Sequence, residues 1–129
     1  MDEKNRPLIL VIEDNDDNRR LVIKVLGSRD YEVVGVTDGR QALARLDSIR
    51  PDLILMDINL PDMDGYEVTR QIRRQKDFAQ LPIVALTAHA MVGDEEKSLA
   101  AGCNAYITKP INVRTFPQTI AAILKEHRS

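Results

Sequence analysis

The chain has 129 residues, one domain's worth against a norm of about 150 per domain. Apolar residues make up 43% and charged residues 29%, and 18 Lys and Arg against 20 Asp and Glu leave a net charge of −2. That balance excludes a disordered tail and supplies no basic field for nucleic acid or an anionic membrane surface. The longest purely apolar runs, Leu8–Ile12 and Ile120–Leu124, fall far short of the roughly 20 residues needed to cross a bilayer. The N-terminus, Met1 to Pro7, mixes charges of both signs and lacks the apolar core of a secretion signal. A single Cys103 cannot close an internal disulfide, which fits a reducing compartment, so the cytoplasm is the expected location.

Taken in chain order, short apolar runs alternate with stretches of helical period. Leu8–Ile12 reads as a strand buried on both faces. A helix follows with Leu21, Val22, Val25 and Leu26 on one face and Asp14 or Asn15 as N-cap. Glu32–Val36 is the second strand, and Gly35 to Gly39 reads as a turn. Ala42, Leu43, Leu46 and Ile49 stripe the second helix, which Pro51 ends. Leu53–Met56 is the third strand, followed by a weaker stripe of Val68 and Ile72 after Gly65. Ile83–Leu86 is the fourth. The segment Asp94–Ala101 is the poorest amphipathic helix, with Leu99 its only large aliphatic side chain, and is expected to be the element most easily moved. Ala105–Thr108 is the fifth strand. Val113, Phe116, Ile120, Ile123 and Leu124 mark the last helix, and Pro117, tolerated in a first turn, puts its start near Thr115. Strict alternation of five strands and five helices predicts an α/β fold, a doubly wound (βα)5 three-layer sandwich around a parallel sheet.

In such a sheet ligands bind beyond the carboxyl ends of the strands. Glu13 and Asp14 follow the first run, Asp57 and then Asn59 the third, Thr87 the fourth, and Lys109-Pro110 the fifth. Three carboxylates brought together repel one another and raise one another's pKa unless a cation sits among them. Mg²⁺ suits such oxygen ligands and keeps coordination positions open for a phosphate oxygen. A carboxylate beside it can attack phosphorus, a lysine can supply a point charge to the phosphoryl group, and a threonine hydroxyl can add a hydrogen bond. Taken singly, each residue has a plainer reading as a helix cap, a turn residue or a solvated lysine. Their joint placement at carboxyl strand ends is what points to phosphoryl transfer onto an Asp.

The runs Val11-Ile-Glu-Asp-Asn15, Asp52 to Pro61 with Met63-Asp-Gly65, Pro82 to Ala88 and Tyr106-Ile-Thr-Lys-Pro110 resemble the receiver domain of bacterial response regulators, in its stand-alone, single-domain form. The resemblance covers residues 7–127 and implies the strand order 2-1-3-4-5 of flavodoxin-like folds. It implies Asp57 as phosphoacceptor, with Asp14 on the metal directly, Glu13 through water and Asn59 through its backbone carbonyl. Lys109 would contact the phosphoryl group, with a cis bond to Pro110, and Thr87 and Tyr106 would be the switch pair. Mg²⁺ is the implied cofactor, with Mn²⁺ or Ca²⁺ as substitutes. A sensor histidine kinase or histidine phosphotransfer protein would donate, docking near the first helix and the acidic pocket. A downstream protein would read the face made by the fourth helix, fifth strand and fifth helix. Asn59 and His89 occupy positions that tune phosphate loss.

The expected protein is no enzyme toward external substrates, has no output domain, and is a monomer or weak dimer. An excised receiver module of a larger hybrid kinase or regulator would look alike, although Met1 and the charged tail from Lys125 to Ser129 read as a complete chain. A haloacid-dehalogenase-like phosphatase would need a second acid where Asn59 stands. A flavin carrier would need a Ser/Thr-rich phosphate loop after the first strand. His89 reads as a loop residue rather than a relay histidine. Arg70, Arg73 and Arg74 read as a solvated face, Met56 and Met63 as packing, and Gly65 and Gly102 as turn residues.

Overall fold

The structure is a computed structural model that describes residues 6–88 and 93–128; the reading of His89 lies outside them. Five strands, β1 (Leu8–Ile12), β2 (Glu32–Val36), β3 (Leu53–Asp57), β4 (Ile83–Thr87) and β5 (Ala105–Thr108), alternate with five helices. The helices are α1 (Asp16–Gly27), α2 (Gly39–Arg45), α3 (Gly65–Arg74), α4 (Asp94–Ala101) and α5 (Phe116–Arg128), with a 3₁₀ turn at Lys76–Phe78. All strand pairs are parallel and the order is β2-β1-β3-β4-β5. The expected fold and strand order are present. β3 and β4 each run one residue further than the apolar runs, taking in Asp57 and Thr87, because ladder pairing continues past the last apolar side chain.

The period-two alternation of a strand builds the two faces. Ile9 and Val11 of β1, Leu53 and Leu55 of β3, and Val84 and Leu86 of β4 meet Val22 and Leu26 of α1 and Phe116, Ile120 and Leu124 of α5. The intervening Leu10, Ile12, Ile54, Met56, Ile83 and Ala85 meet Ala42, Leu46, Val68 and Ile72 beneath α2 and α3. Every residue of β3 and β4 is therefore buried, which is why these strands read as unbroken apolar runs.

The caps are local and chemical. Asn15 is the N-cap of α1 and accepts from the Asn18 amide at 2.9 Å, whereas Asp14 does not cap. Asp38 and Asp64 cap α2 and α3. The first turn of α5 begins at Phe116 with Pro117 at its second position. Leu21 and Val113, assigned to apolar stripes, are 39% and 45% exposed, and Leu99, the one large aliphatic of α4, is 52% exposed. Val113 precedes α5, and Leu99 faces outward because α4 turns the small residues Ser98 and Ala101 inward.

Arg73 corrects the reading of a solvated basic face. Its guanidinium donates from Nε and Nη2 to the Gly102 carbonyl at 3.0 and 2.7 Å, and from Nη1 to the Phe78 and Leu81 carbonyls at 2.9 and 2.5 Å. Nη2 also reaches Asn104 Oδ1 at 2.8 Å, and that same oxygen accepts from the Ile83 amide. The side chain thus ties the end of α3 to the C-terminus of α4 and the entries to β4 and β5. Gly102 is a turn residue as expected, with φ of 115° ending α4. Gly65 is required for a different reason: a Cβ there would lie 2.6 Å from the Asp57 carbonyl oxygen and 2.7 Å from Ile58 Cα.

Candidate functional site

The chain leaves β1 toward β2 and returns to β3 on the other side, so strand order reverses between β1 and β3 and opens a crevice at their carboxyl ends. Ile12 pairs with Met56 across that gap, which brings Glu13 and Asp57, the next residues of each strand, alongside one another. One carboxylate oxygen from each of Glu13, Asp14 and Asp57 lies within 4.8 Å of the others. Asp14 is exposed, whereas Glu13 and Asp57 are only 1% and 3% exposed.

Backbone geometry holds these groups. The Glu13 amide donates to the Val36 carbonyl at 3.1 Å and the Ile58 amide to the Leu86 carbonyl at 3.1 Å, extending the sheet one step into the site. The Asn15 amide donates to Glu13 Oε2 at 3.2 Å and the Asn59 amide to Asp57 Oδ1 at 3.0 Å. The Lys109 amide donates to the Thr87 carbonyl at 2.7 Å, and the Lys109-Pro110 bond is cis, as the resemblance implies. Lys109 Nζ then stands 2.7 Å from Glu13 Oε1 and 3.3 Å from Asp57 Oδ2.

Burial pushes the Asp57 carboxyl up to about 7, reinforced by a hydrogen bond with Glu13, against the opposing Asn59 amide and Lys109 charge. Burial acts on Glu13 in the same sense, yet hydrogen bonding with Asp57, Lys109 and the Asn15 amide outweighs it and holds Glu13 below the ordinary value. The two carboxyls are thus pushed in opposite directions, Asp57 up and Glu13 down. Burial likewise opposes the Lys109 charge, but the two carboxylates hold its pKa above the ordinary lysine value.

These carboxylates fit a small divalent cation. The donors are all hard oxygens within 4.8 Å of one another, and among the described residues a single ammonium, Lys109, faces the three acids. A cation among them would offset the repulsion between the carboxylates and lower the Asp57 pKa.

Of the expected site residues, Glu13, Asp14, Asp57, Asn59 and Lys109 stand at this crevice with Thr87 beside it, and Tyr106 lies away from it. Thr87 ends β4, 5% exposed. Tyr106 lies partly buried at the α4–β5 edge, where it lines a cavity of about 260 Å³ with Glu95, Ser98 and Leu99. Tyr66, which no sequence signal marked, has its hydroxyl 3.3 Å from Ser98 Oγ and so links α3 to α4. Asp62 was also missed: it leaves the loop after Asp57 and bonds the start of α2. Nothing in local sequence distinguishes it from an ordinary turn aspartate.

A doubly wound five-stranded sheet with an acidic crevice at its switch point and a lysine from the last strand defines the class of flavodoxin-like signalling domains. The chain belongs to the response regulator receiver domain family, whose description matches residues 9–121, and it is a response regulator of two-component signal transduction. It is similar to the polar-differentiation response regulator DivK of Brucella anthropi, 41% identical over 116 residues, covering 90% of this chain and 94% of that one. The receiver domain of sensor histidine kinase PA1611 of Pseudomonas aeruginosa, with a magnesium ion coordinated in its active site cleft, is 40% identical with a TM-score of 0.85, covering 93% of this chain and 98% of that one. The chemotaxis response regulator CheY4 of Vibrio cholerae is 30% identical with a TM-score of 0.88, covering 92% and 99% respectively. Among the described residues no helix is long and apolar enough to cross a membrane.

Proposed function

We propose that Asp57 accepts a phosphoryl group from a phosphohistidine on a sensor kinase or phosphotransfer protein. One observation carries this reading most. Asp57 is a nearly fully buried carboxylate at the end of a central strand, with an ammonium at 3.3 Å and two further acids beside it. A purely structural aspartate gains nothing from such surroundings. An Asp oxygen attacks phosphorus, a P–O bond forms, the P–N bond breaks, and the leaving imidazole takes up a proton. Attack of water on phosphorus later releases inorganic phosphate and restores the carboxylate, so no external substrate is turned over.

Asp14 and Asp57 would hold Mg²⁺ directly, Glu13 through water, and Asn59 through its backbone carbonyl; Mn²⁺ or Ca²⁺ could substitute. Bound there, the metal supplies charge neutralisation for the phosphoryl oxygens. Lys109, already fixed between Glu13 and Asp57, shifts to the transferred group as a point charge.

The signal leaves by a population shift. A phosphoryl oxygen offers the Thr87 hydroxyl a hydrogen bond available in one arrangement only, and Tyr106 turns into the space that Thr87 leaves. α4 follows because its inner face is small and its one large aliphatic, Leu99, is half exposed. Differential binding of about 5.5 kcal/mol would reverse a 1:99 equilibrium, and less suffices to change partner choice. The donor would dock beside α1 and the acidic crevice, and a downstream protein would read the α4–β5–α5 face. The chain would act as a monomer or weak dimer in the cytoplasm, without contact to nucleic acid or membrane, as a receiver unit spanning residues 7–127.

Incubation with acetyl phosphate or a donor kinase, with and without Mg²⁺, tests the reading. It predicts acid-labile phosphate, cleaved by hydroxylamine as an acyl phosphate is, on the wild type with Mg²⁺, and none without the metal or in Asp57→Asn. Undiminished incorporation in Asp57→Asn would overturn it.

A further inference from the structure

The loop after Asp57 is fixed at both ends by main-chain bonds. The Ile58 amide donates to the Leu86 carbonyl at 3.1 Å and the Gly65 amide to the Ile58 carbonyl at 3.0 Å, while Asn59 and Asp64 form an isolated antiparallel bridge. In its middle Leu60 and Met63 pack against the core, and one side chain hydrogen-bonds across the fold. Asp62 accepts from the Gly39 amide at Oδ1, 2.9 Å, and from the Arg40 amide at Oδ2, 3.0 Å, both at the start of α2.

Helix α2 already has its own cap, since Asp38 accepts from the Gln41 amide at 2.8 Å. Three successive amides are thus divided between a local aspartate and one 22 to 23 residues away. The contact needs close approach: a Cβ at Gly39 would lie 2.7 Å from Val68 Cγ2 and 3.1 Å from Met63 Sδ. The Asp62 carboxyl is itself exposed. Among the described residues it supplies the side-chain hydrogen bonds from this loop to α2, beside the apolar contact of Met63 with Gly39.

We infer that Asp62 is a positioning residue for the metal-binding loop, holding the Asn59 backbone carbonyl in register with the Asp57 carboxylate. This rests on the assignment of Asp57 and Asn59 proposed above. Without the clamp, the loop's middle must be ordered when the cation binds, so the loss falls on metal affinity. Asp57 stays in the β3 ladder, so chemistry at saturating metal is little changed.

The test compares Asp62→Ala, Asp62→Asn and Asp38→Ala. Mg²⁺ is titrated while backbone amide resonances are followed, and phosphorylation by acetyl phosphate is timed at saturating Mg²⁺. Asp62→Ala is expected to bind Mg²⁺ about three- to tenfold more weakly, below the roughly 10–100-fold that follows loss of a group bonded directly to a metal ligand. Asp62→Asn, with one acceptor oxygen left, falls between it and the wild type. Asp38→Ala loses an α2 cap as well but keeps wild-type Mg²⁺ affinity, which a merely structural role for Asp62 would not predict. Equal Mg²⁺ affinities for Asp62→Ala and Asp38→Ala would overturn the inference alone. A wild type whose Asp14 and Asp57 resonances ignore Mg²⁺ would overturn the underlying assignment and the inference with it.

Discussion

Replacing Asp57 by Asn should make the metal-free protein more stable, most visibly at alkaline pH. The Asp57 carboxyl titrates at about 7 in the fold against an ordinary 3.8. For an acid whose folded pKa is raised, the native state binds the proton more tightly than the unfolded chain. Stability therefore falls as pH rises from about 4 through 7. Each pH unit in that window costs about 1.4 kcal/mol, so the upper bound is about 4 kcal/mol, and relaxation with water entry should leave about 2 kcal/mol. Glu13, held below its ordinary value, has the opposite sign, but its contribution is nearly complete by about pH 5.5. Within the crevice, the slope between about pH 5.5 and 7 is thus Asp57's. Urea denaturation in a chelator, followed by far-ultraviolet circular dichroism because the chain has no Trp, measures it at several pH values. Wild type should weaken between pH 5 and 8, and Asp57→Asn should run flatter and lie above it at pH 8. Saturating Mg²⁺ should restore the wild type by mass action. A wild-type curve flat or rising over that range, or an Asn variant weaker at pH 8, would refute the reasoning.

Three further perturbations separate close contacts from open ones. Gly65→Ala drives a Cβ into the Asp57 and Ile58 backbone and should cost about 1–3 kcal/mol or more by denaturant midpoint, whereas Gly27→Ala, with nothing within 4 Å, should gain about 0.5–1 kcal/mol. Arg73→Ala leaves the carbonyls of Gly102, Phe78 and Leu81 short of donors and should cost about 2–4 kcal/mol, and Arg73→Lys should recover less than half because one ammonium cannot span all of those acceptors. Ile72→Ala should cost about 2–5 kcal/mol, while Leu99→Ala should stay within about 0.5 kcal/mol because that side chain faces solvent.

The sheet was legible because β3 and β4 are buried on both faces and so are apolar at every position before their last residues, Asp57 and Thr87. The site was legible because strand ends are where a parallel sheet presents ligands, and Glu13, Asp14, Asp57, Thr87 and Lys109 each follow or end a run. What local sequence did not carry were contacts made across the fold. Arg73 lies on a helix end like any solvated arginine, and only the converging carbonyls of three segments draw it inward. Asp62 bonds a helix that precedes it by more than twenty residues. Leu99 carried the apolar signal of α4, yet Ser98 and Ala101 face the core, because an apolar count cannot orient a helix whose inner face is small. Gly65 is needed for backbone clearance, which no turn preference reveals.

The central claim is that the phosphoryl group resides on Asp57. Borohydride reduction of the phosphorylated chain, followed by peptide sequencing by mass spectrometry, reads the position directly, since an acyl phosphate is reduced to the alcohol. The account predicts homoserine at position 57 in the Mg²⁺-treated, phosphorylated sample and intact aspartate at 14, 62 and 64. Reduction at another carboxylate, or phosphate that survives borohydride on a histidine or hydroxyl, would contradict it.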